Sequence, residues 1–409
     1  MDPHPTPPSV ALRIFLTIDY SPWSAYSGGA QRSTDRLARA LVARGHRVDV
    51  IYTRPPWERV ATPQDLPYQL HWATLPALAS RRAAPLRPLS GLWVRRRVDH
   101  LIDAAPPELA ARPIILHANG EEGAFLPELA RRRRIPLIAT PRHPDYPPLF
   151  DHGWPTGAAR LRLLLQDAKY LAQGRVARGA DLIAPPSAYA ARRCVRAFDL
   201  DPERVAPIFN GVDPIFFEGA RDPHADAGPL LFFGRLEPDK GPLELLAAWQ
   251  RLPAPRPRLI FIGRGRLESP LRRRIAQLTE LGPIELLPWS DPRELRDQLT
   301  RAALVVLPSH RESFGNTIAE AMAVGAPVLA CDVAAVPELL VHGERGWLTA
   351  PADPNALAAA ITHLLADPPL RRRLGDAAAT WARQQLRWEH AAARFEALYR
   401  RALARLAAP

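Results

Sequence analysis

Short uninterrupted apolar runs alternate along this 409-residue chain with segments whose apolar positions recur every three to four residues. The first pattern suits strands buried on both faces, the second suits helices with one face against a core. Residues 10–18 predict the first strand. A glycine-containing loop follows, then a helix ending at Gly45, a residue type suited to the left-handed position just past a helix, then a strand over 48–52. Strands are expected at 114–117, 136–140 and 181–184, and in the second half at 230–233, 258–263, 284–287, 304–307 and 327–330. Helices are expected over 243–251, 270–281, 292–301 and 317–324, with a helical tail over 354–365 and 369–406. Apolar strands separated by helices imply parallel, doubly wound sheets. The expected class is therefore α/β, with two Rossmann-like domains at 9–207 and 208–385. A C-terminal helix at 386–409 returns to the first domain and packs across both. The join falls at Pro207–Pro214, a Gly/Asn turn followed by a polar stretch.

Composition narrows the class. Hydrophobic residues make up 47% and charged residues 23%, ordinary for a soluble globular protein. Arg13 interrupts the first apolar run and no cleavage-site pattern follows it, so it reads as a strand and not a signal peptide. No stretch has the length of a membrane span, and the two cysteines form no motif, which together lead to a cytoplasmic expectation. The net charge of +12 would suit an anionic partner. No nucleic-acid module and no aromatic interleaving accompany the basic runs, so nucleic acid is not expected. Arg95 to Arg97, on a predicted helix, and Arg131 to Arg134 leave two readings open: a solvated basic face, or peripheral contact with an anionic membrane at its inner face.

Lys240 stands out because only it and Lys169 are lysines among 54 cationic residues. It follows the apolar strand 230–233 and Gly234, with Arg235 beside it. Arginine offers a planar fork and lysine a compact charge on a flexible stem, and phosphate sites use both. After the strand 304–307 comes a loop holding Glu312, then Phe314, Gly315, Asn316 and Thr317, with Asn316 a candidate N-cap and Glu320 about one turn into the helix. Two carboxylates then flank a helix start whose N–H groups favour an anion. In facing doubly wound domains these residues fall at the carboxyl ends of strands, where a ligand cleft forms. The set suits a sugar nucleotide: cations and N–H groups on a diphosphate, one carboxylate on sugar hydroxyls and the other on ribose hydroxyls. Two cations and a helix terminus stabilise a departing diphosphate without a metal, so no metal and no cofactor is expected. Asp199 and Asp201 form an Asp-x-Asp, but in a loop far from these motifs in sequence.

With these residues the chain resembles the retaining glycosyltransferases of family four, of GT-B fold. Similar stretches are Gly28-Gly29-Ala-Gln-Arg32, Phe209-Asn-Gly-Val-Asp213, Gly234 to Gly241, Glu312 through Val328, and Leu339 to Leu348. The resemblance implies a retaining transferase, a hexosyltransferase being the expected kind, that moves sugar from a nucleoside-diphosphate sugar to a hydroxyl acceptor. That acceptor could be a glycan, a lipid-linked glycan or a small metabolite. Donor binding is implied for the second domain and acceptor binding for the first. Arg235 and Lys240 would hold the diphosphate, Glu312 the transferred sugar and Glu320 the ribose, with Gly263, Gly265 and Trp289 bordering the base. Gly28 and Gly29 match the family's N-terminal glycine loop. One departure is visible: where the family often has His-x-His, this chain has His117-Ala-Asn119. His117 and His143 are then candidates to touch the reacting sugar or orient the acceptor. The competing functions are a non-catalytic sugar-nucleotide sensor and a GT-B epimerase or phosphorylase.

Overall fold

The computed structural model describes residues 10–24, 27–76, 89–142, 150, 156–158, 160–161 and 168–407. It divides into two compact units, Met1–Gly211 with Trp388–Pro409, and Val212–Arg387. Each is built on a six-stranded parallel sheet.

In the first unit the strands are β1 (Arg13–Ile18), β2 (Arg47–Arg54), β3 (Gln69–Thr74), β4 (Ile114–Ala118), β5 (Leu137–Ala139) and β6 (Leu182–Ile183), in the order β3-β2-β1-β4-β5-β6. The pleat sends alternate side chains to opposite faces. Ile14, Leu16 and Ile18 enter one core cluster with Leu37 and Leu41 of the Gly29–Ala43 helix, while Phe15 enters the other with Val94 and Val98. The last helix, Trp388–Ala407, completes the first of these clusters with Trp388, Phe395, Leu398 and Tyr399.

The second unit repeats the plan with β7 (Leu230–Phe233), β8 (Leu259–Ile262), β9 (Ile284–Leu287), β10 (Leu304–Leu307), β11 (Val328–Cys331) and β12 (Trp347–Thr349), ordered β12-β11-β10-β7-β8-β9. Counted from their own first strands, both sheets have one order, which reverses between the first and fourth strands. Ligands of such sheets bind at that reversal, outside the carboxyl ends of the strands. In the first unit it lies between β1 and β4, in the second between β7 and β10.

Some expectations change in detail. The helix expected over 270–281 is Glu268–Ala276 followed by a separate turn at Thr279–Leu281. The long tail breaks at Leu386 into Pro368–Gln385, in the second unit, and Trp388–Ala407, in the first. Both cysteines are buried free thiols. Among the described residues no helix is long and apolar enough to cross a membrane. The basic stretch at Arg131–Arg134 is partly neutralised, since Arg132 and Arg133 both pair with Asp99 on the Ser90–Asp103 helix, and Arg133 also reaches Asp103 at 2.6 Å.

Candidate functional site

At the reversal of the second unit, glycines let backbone pass close to backbone. Gly234 (φ 141°) ends β7, and Gly263 ends β8 so near it that a Cβ there would lie 1.9 Å from the Gly234 carbonyl oxygen. The loop after β7 then makes one helical turn, Pro238–Lys240, and stops at Gly241 (φ 69°). A Cβ on Gly241 would meet the carbonyl oxygen of Pro308, just past β10, at 2.2 Å. The His310 N–H donates to the Asp239 carbonyl at 2.8 Å. Side-chain-free positions thus clamp the β7 and β10 loops together and set Lys240 beside Glu312.

Lys240 Nζ donates to Glu312 Oε1 at 2.8 Å and to the Arg311 carbonyl at 3.3 Å. Ser309 Oγ donates to the same carboxylate oxygen at 2.9 Å. Lys240 and Glu312 side chains are only 16% and 10% exposed, so this ion pair is shielded from solvent more than a surface pair. Arg235 is different: its side chain is 66% exposed, with Nη2 3.4 Å from Asp239 Oδ2, a long contact that leaves the guanidinium easy to redirect. Asp239 also lies 3.8 Å from Lys240 Nζ. Both cations are therefore balanced by acids, ready to exchange an acid for an anionic ligand.

The Asn316–Val324 helix starts at the same place. Its N-cap is Gly315 (φ 95°), with no side-chain cap, so Asn316 is the first helical residue and not the cap expected from sequence. A Cβ on Gly234 would lie 3.6 Å from Thr317 Cγ2, which puts the first helical turn against the end of β7. The leading N–H groups of a helix carry partial positive charge toward whatever lies before it. Phe314 is buried beneath this turn, Glu320 sits half-buried on the helix, and Trp289 follows β9 half-buried. Gly265 presses on the Leu236 carbonyl, 2.4 Å from a would-be Cβ. Arg235, Lys240, Glu312 and the Gly315 turn are brought to one strand end, whereas Gly28 and Gly29 belong to the other unit.

In the first unit, Gly28 caps the Gly29–Ala43 helix, and Gln31 ties that turn to the end of β1, accepting from Gly28 N at 2.9 Å and donating to the Asp19 carbonyl at 2.8 Å. His117 does not present a ring to a ligand there. It is fully buried, with Nδ1 2.8 Å from the Tyr399 hydroxyl and Nε2 2.8 Å from Thr140 Oγ1. Burial, with the Arg142 charge adding to it, pushes its pKa down to about 3, so the ring is neutral at ordinary pH. The expectation that His117 touches sugar is corrected: both nitrogens are committed inside the core. His143 lies outside the described residues.

Beside it stands a polar network that sequence reading missed. Asn119 occupies the second position of the His-x-Asn motif and accepts from Arg142 Nη2 at 2.7 Å, while its own N–H reaches Glu122 Oε1 at 3.2 Å. Glu122 also accepts from Thr17 Oγ1 at 3.0 Å. Burial first, then the nearby Asp19 and Glu121 carboxylates, raises the Glu122 pKa well above the usual range. Burial lowers that of Arg142 to about 10 against the opposing pull of Glu122.

Models of two protein families match the two units in turn: Glycosyltransferase Family 4 over residues 27–216, and Glycosyl transferases group 1 over residues 223–381. The chain belongs to the group 1, family-four glycosyltransferases. Among curated relatives, the D-inositol 3-phosphate glycosyltransferase of Nocardioides sp. is 32% identical over 268 residues, 58% of this chain and 57% of that relative. The chain thus spans little more than half of that relative's length. Among solved structures, sucrose-phosphate synthase from Thermosynechococcus elongatus superposes with a TM-score of 0.75 at 21% identity, covering 96% of this chain and 100% of that one. Anabaena HepE in complex with UDP superposes with a TM-score of 0.70 at 20% identity, covering 94% and 98%. At such identities the likeness is one of fold, the GT-B class. Within this family member, Asp19, Glu121, Glu122 and Arg142 went unread, because they follow three different strands, β1, β4 and β5, that only the folded sheet brings side by side.

Proposed function

We propose that this chain is a retaining glycosyltransferase that moves a sugar from a nucleoside-diphosphate sugar to a hydroxyl acceptor, with no metal on the diphosphate. The second unit takes the donor and the first the acceptor. The observation that carries the reading is the shielded Lys240–Glu312 pair, 2.8 Å apart beside an uncapped helix start at the β7–β10 reversal. An incoming diphosphate takes over Lys240 from Glu312, and Arg235 from Asp239, which leaves Glu312 to accept hydrogen bonds from sugar hydroxyls. Glu320, one turn into the helix, takes the ribose, with the Gly263–Gly265 backbone and Trp289 alongside the base.

The chemical problem is the charge that develops as the nucleoside diphosphate leaves. Once Lys240 and Arg235 have turned from Glu312 and Asp239 to the bound diphosphate, they and the helix N–H groups are in place to hold that charge as the bond breaks. The sugar passes through oxocarbenium character, and attack by the acceptor on the face the diphosphate leaves gives retention. Relatives named as glycosyltransferases and a structural neighbour solved with UDP support the donor class. A cytoplasmic site of action, with a lipid-linked glycan among the acceptors, accords with the basic first unit.

The test is a melting-temperature screen of UDP, GDP and ADP, followed by NMR of the product's anomeric configuration. A ligand at about a hundred times its Kd stabilises by ~2.7 kcal/mol, so the matching nucleotide gives a clear rise. No rise with any of the three at millimolar concentration, or an inverted product, overturns the proposal.

A further inference from the structure

The two units divide the charge of the chain unequally. Met1–Gly211 with Trp388–Pro409 holds 33 Lys and Arg residues against 21 Asp and Glu, whereas Val212–Arg387 holds 21 of each. The whole net charge of +12 therefore belongs to the first unit, and the unit proposed to take the nucleotide is neutral. Cations in such excess have no acids within their own unit to balance them, so their field draws anions from outside.

One end of this unit also leaves apolar side chains in solvent. Trp57, just past the carboxyl end of β2, is 55% exposed, and Leu89, the N-cap of the Ser90–Asp103 helix, is 39% exposed. That helix starts at the same end of the sheet. A Cβ on Gly91 would lie 2.9 Å from the Glu122 carbonyl oxygen, just past β4, while the Leu101 carbonyl, near the helix's finish, accepts from Arg13 at the start of β1 at 3.0 Å. The Trp57 loop is held in place, since Ser24 Oγ donates to Glu58 Oε1 at 2.5 Å, yet the indole stays outside. Cations stand around the pair. Arg59 follows Trp57, and Arg96 lies about two turns along the helix from Leu89. Both are exposed, and neither makes an ion pair among the described residues. Arg32, in the first turn of the Gly29–Ala43 helix after β1, is exposed as well.

We propose that this end of the first unit docks on an anionic lipid bilayer, with Trp57 and Leu89 entering the interface and Arg32, Arg59 and Arg96 meeting the headgroups. An indole has an apolar body and one N–H, which suits the boundary between hydrocarbon and water. Arginine stems lie along apolar surface with their heads among phosphates. Two apolar side chains alone bury too little area to hold a protein on a membrane, and charge alone gives contact without orientation; together they do both. A nucleic acid fits less well. Single strands are held by aromatic rings on which successive bases stack, and Trp57 is the only aromatic among the exposed large hydrophobics of the described residues. A soluble polyanion would use the charge and leave Trp57 and Leu89 without a role. The docked end is also where the sheet order of this unit reverses, the place at which such a sheet binds its ligand. A lipid-linked acceptor would reach that reversal without leaving the bilayer. This last step rests on the proposed assignment of the acceptor to the first unit; the membrane contact itself does not.

The experiment floats the full chain with vesicles of phosphatidylcholine, alone or with about 30% phosphatidylglycerol, at about 50 and about 500 mM NaCl. The expected result is binding to the phosphatidylglycerol vesicles at low salt, weakened at least about tenfold by high salt or by leaving out the anionic lipid. Arg59→Gln and Arg96→Gln should each lower partitioning about fivefold, and Trp57→Ala with Leu89→Ser at least as much. Arg273→Gln with Arg274→Gln, exposed on the Glu268–Ala276 helix of the second unit, removes the same kind of charge and should leave partitioning within about twofold. Circular dichroism establishes that each variant is folded. No binding of the wild-type chain to phosphatidylglycerol vesicles at low salt overturns the proposal. So does binding that the folded Trp57, Leu89 and arginine variants retain in full, or retention on single-stranded DNA in place of vesicles. The UDP-induced rise in melting temperature reports the donor site separately, so failure of the sugar-nucleotide reading leaves the vesicle result standing.

Discussion

Replacing Lys240 with methionine keeps most of the aliphatic stem and removes only the charge. In the structure Nζ is 2.8 Å from Glu312 Oε1 and 3.3 Å from the Arg311 carbonyl, on a side chain 16% exposed. A unit charge about 4 Å from a phosphate oxygen, in a partly shielded site with an effective dielectric near 20, is worth ~4 kcal/mol. Some of that is already spent on Glu312 in the free protein. The loss is compounded because Glu312, 10% exposed, is then left beside the diphosphate without its counter-ion. Loss of one preorganised charge donor typically costs ~2.7–4 kcal/mol, or about 10²–10³ in kcat. Lys240→Met should fall in that range, measured as initial rates of transfer from radiolabelled donor with kcat and KM determined separately. In a cycle with Glu312→Gln, the double variant should lose less than the sum of the two single losses, because the neutral amide no longer repels the diphosphate. A Lys240→Met enzyme with turnover within about threefold of wild type, or strictly additive losses, would refute the assignment.

Other outcomes follow from the same geometry. Glu312→Gln should lower kcat in a chain that circular dichroism shows to be folded, and an unaltered kcat would remove it from the sugar site. Gly263→Ala forces a methyl to within 1.9 Å of the Gly234 carbonyl, so overpacking of about 1–3 kcal/mol should lower the melting temperature and weaken nucleotide binding; a variant that melts and binds like wild type would contradict the clamp. Nucleoside-diphosphate affinity should be equal in EDTA and in Mg²⁺, and a tightening of about tenfold by Mg²⁺ would place a metal on the phosphates. The fourth concerns acid stability. Burial alone would raise the pKa of Glu396, but hydrogen bonds from Arg400 and Arg44, with the charges of His46 and Arg44, hold it down at about 2, below its ordinary 4.5. A carboxyl depressed by folding stabilises above its unfolded value and loses that contribution as pH falls through the folded one. Denaturation curves should therefore show Glu396→Gln with a shallower stability decline between pH 4.5 and 2 than wild type; identical slopes would exclude the group.

The residues that sequence reading located and those it missed differ in what positions them. Leu230–Phe233 and Leu304–Leu307 coincide with their expected bounds because central strands of a parallel sheet are apolar without interruption, and Ile284–Leu287 does so as an edge strand whose apolar residues still flank Glu285. β3, Gln69–Thr74, and β12, Trp347–Thr349, went unread because both are edge strands, with mixed exposure and no continuous apolar run. Arg235, Lys240 and Glu312 were legible since each follows a recognisable strand. His117 misled for the opposite reason. Its partner Tyr399 is 282 residues away, and no local pattern reports that a helix from the chain's end closes over the ring. Glu122 depends likewise on Thr17, 105 residues earlier, through the β1–β4 pairing.

That closing helix has a consequence for synthesis on the ribosome. Trp388, Phe395, Leu398 and Tyr399 complete a core whose other members are made first, and each buried side chain of this size contributes roughly 1.5–3 kcal/mol. Together they rival the ~5–15 kcal/mol by which a whole domain is stable. The half translated first must therefore wait, open along one face, until Trp388–Ala407 has been made, while Val212–Arg387 already has every strand it needs. Nascent chains of this protein should mature in reverse, the later-made half hardening before the earlier one.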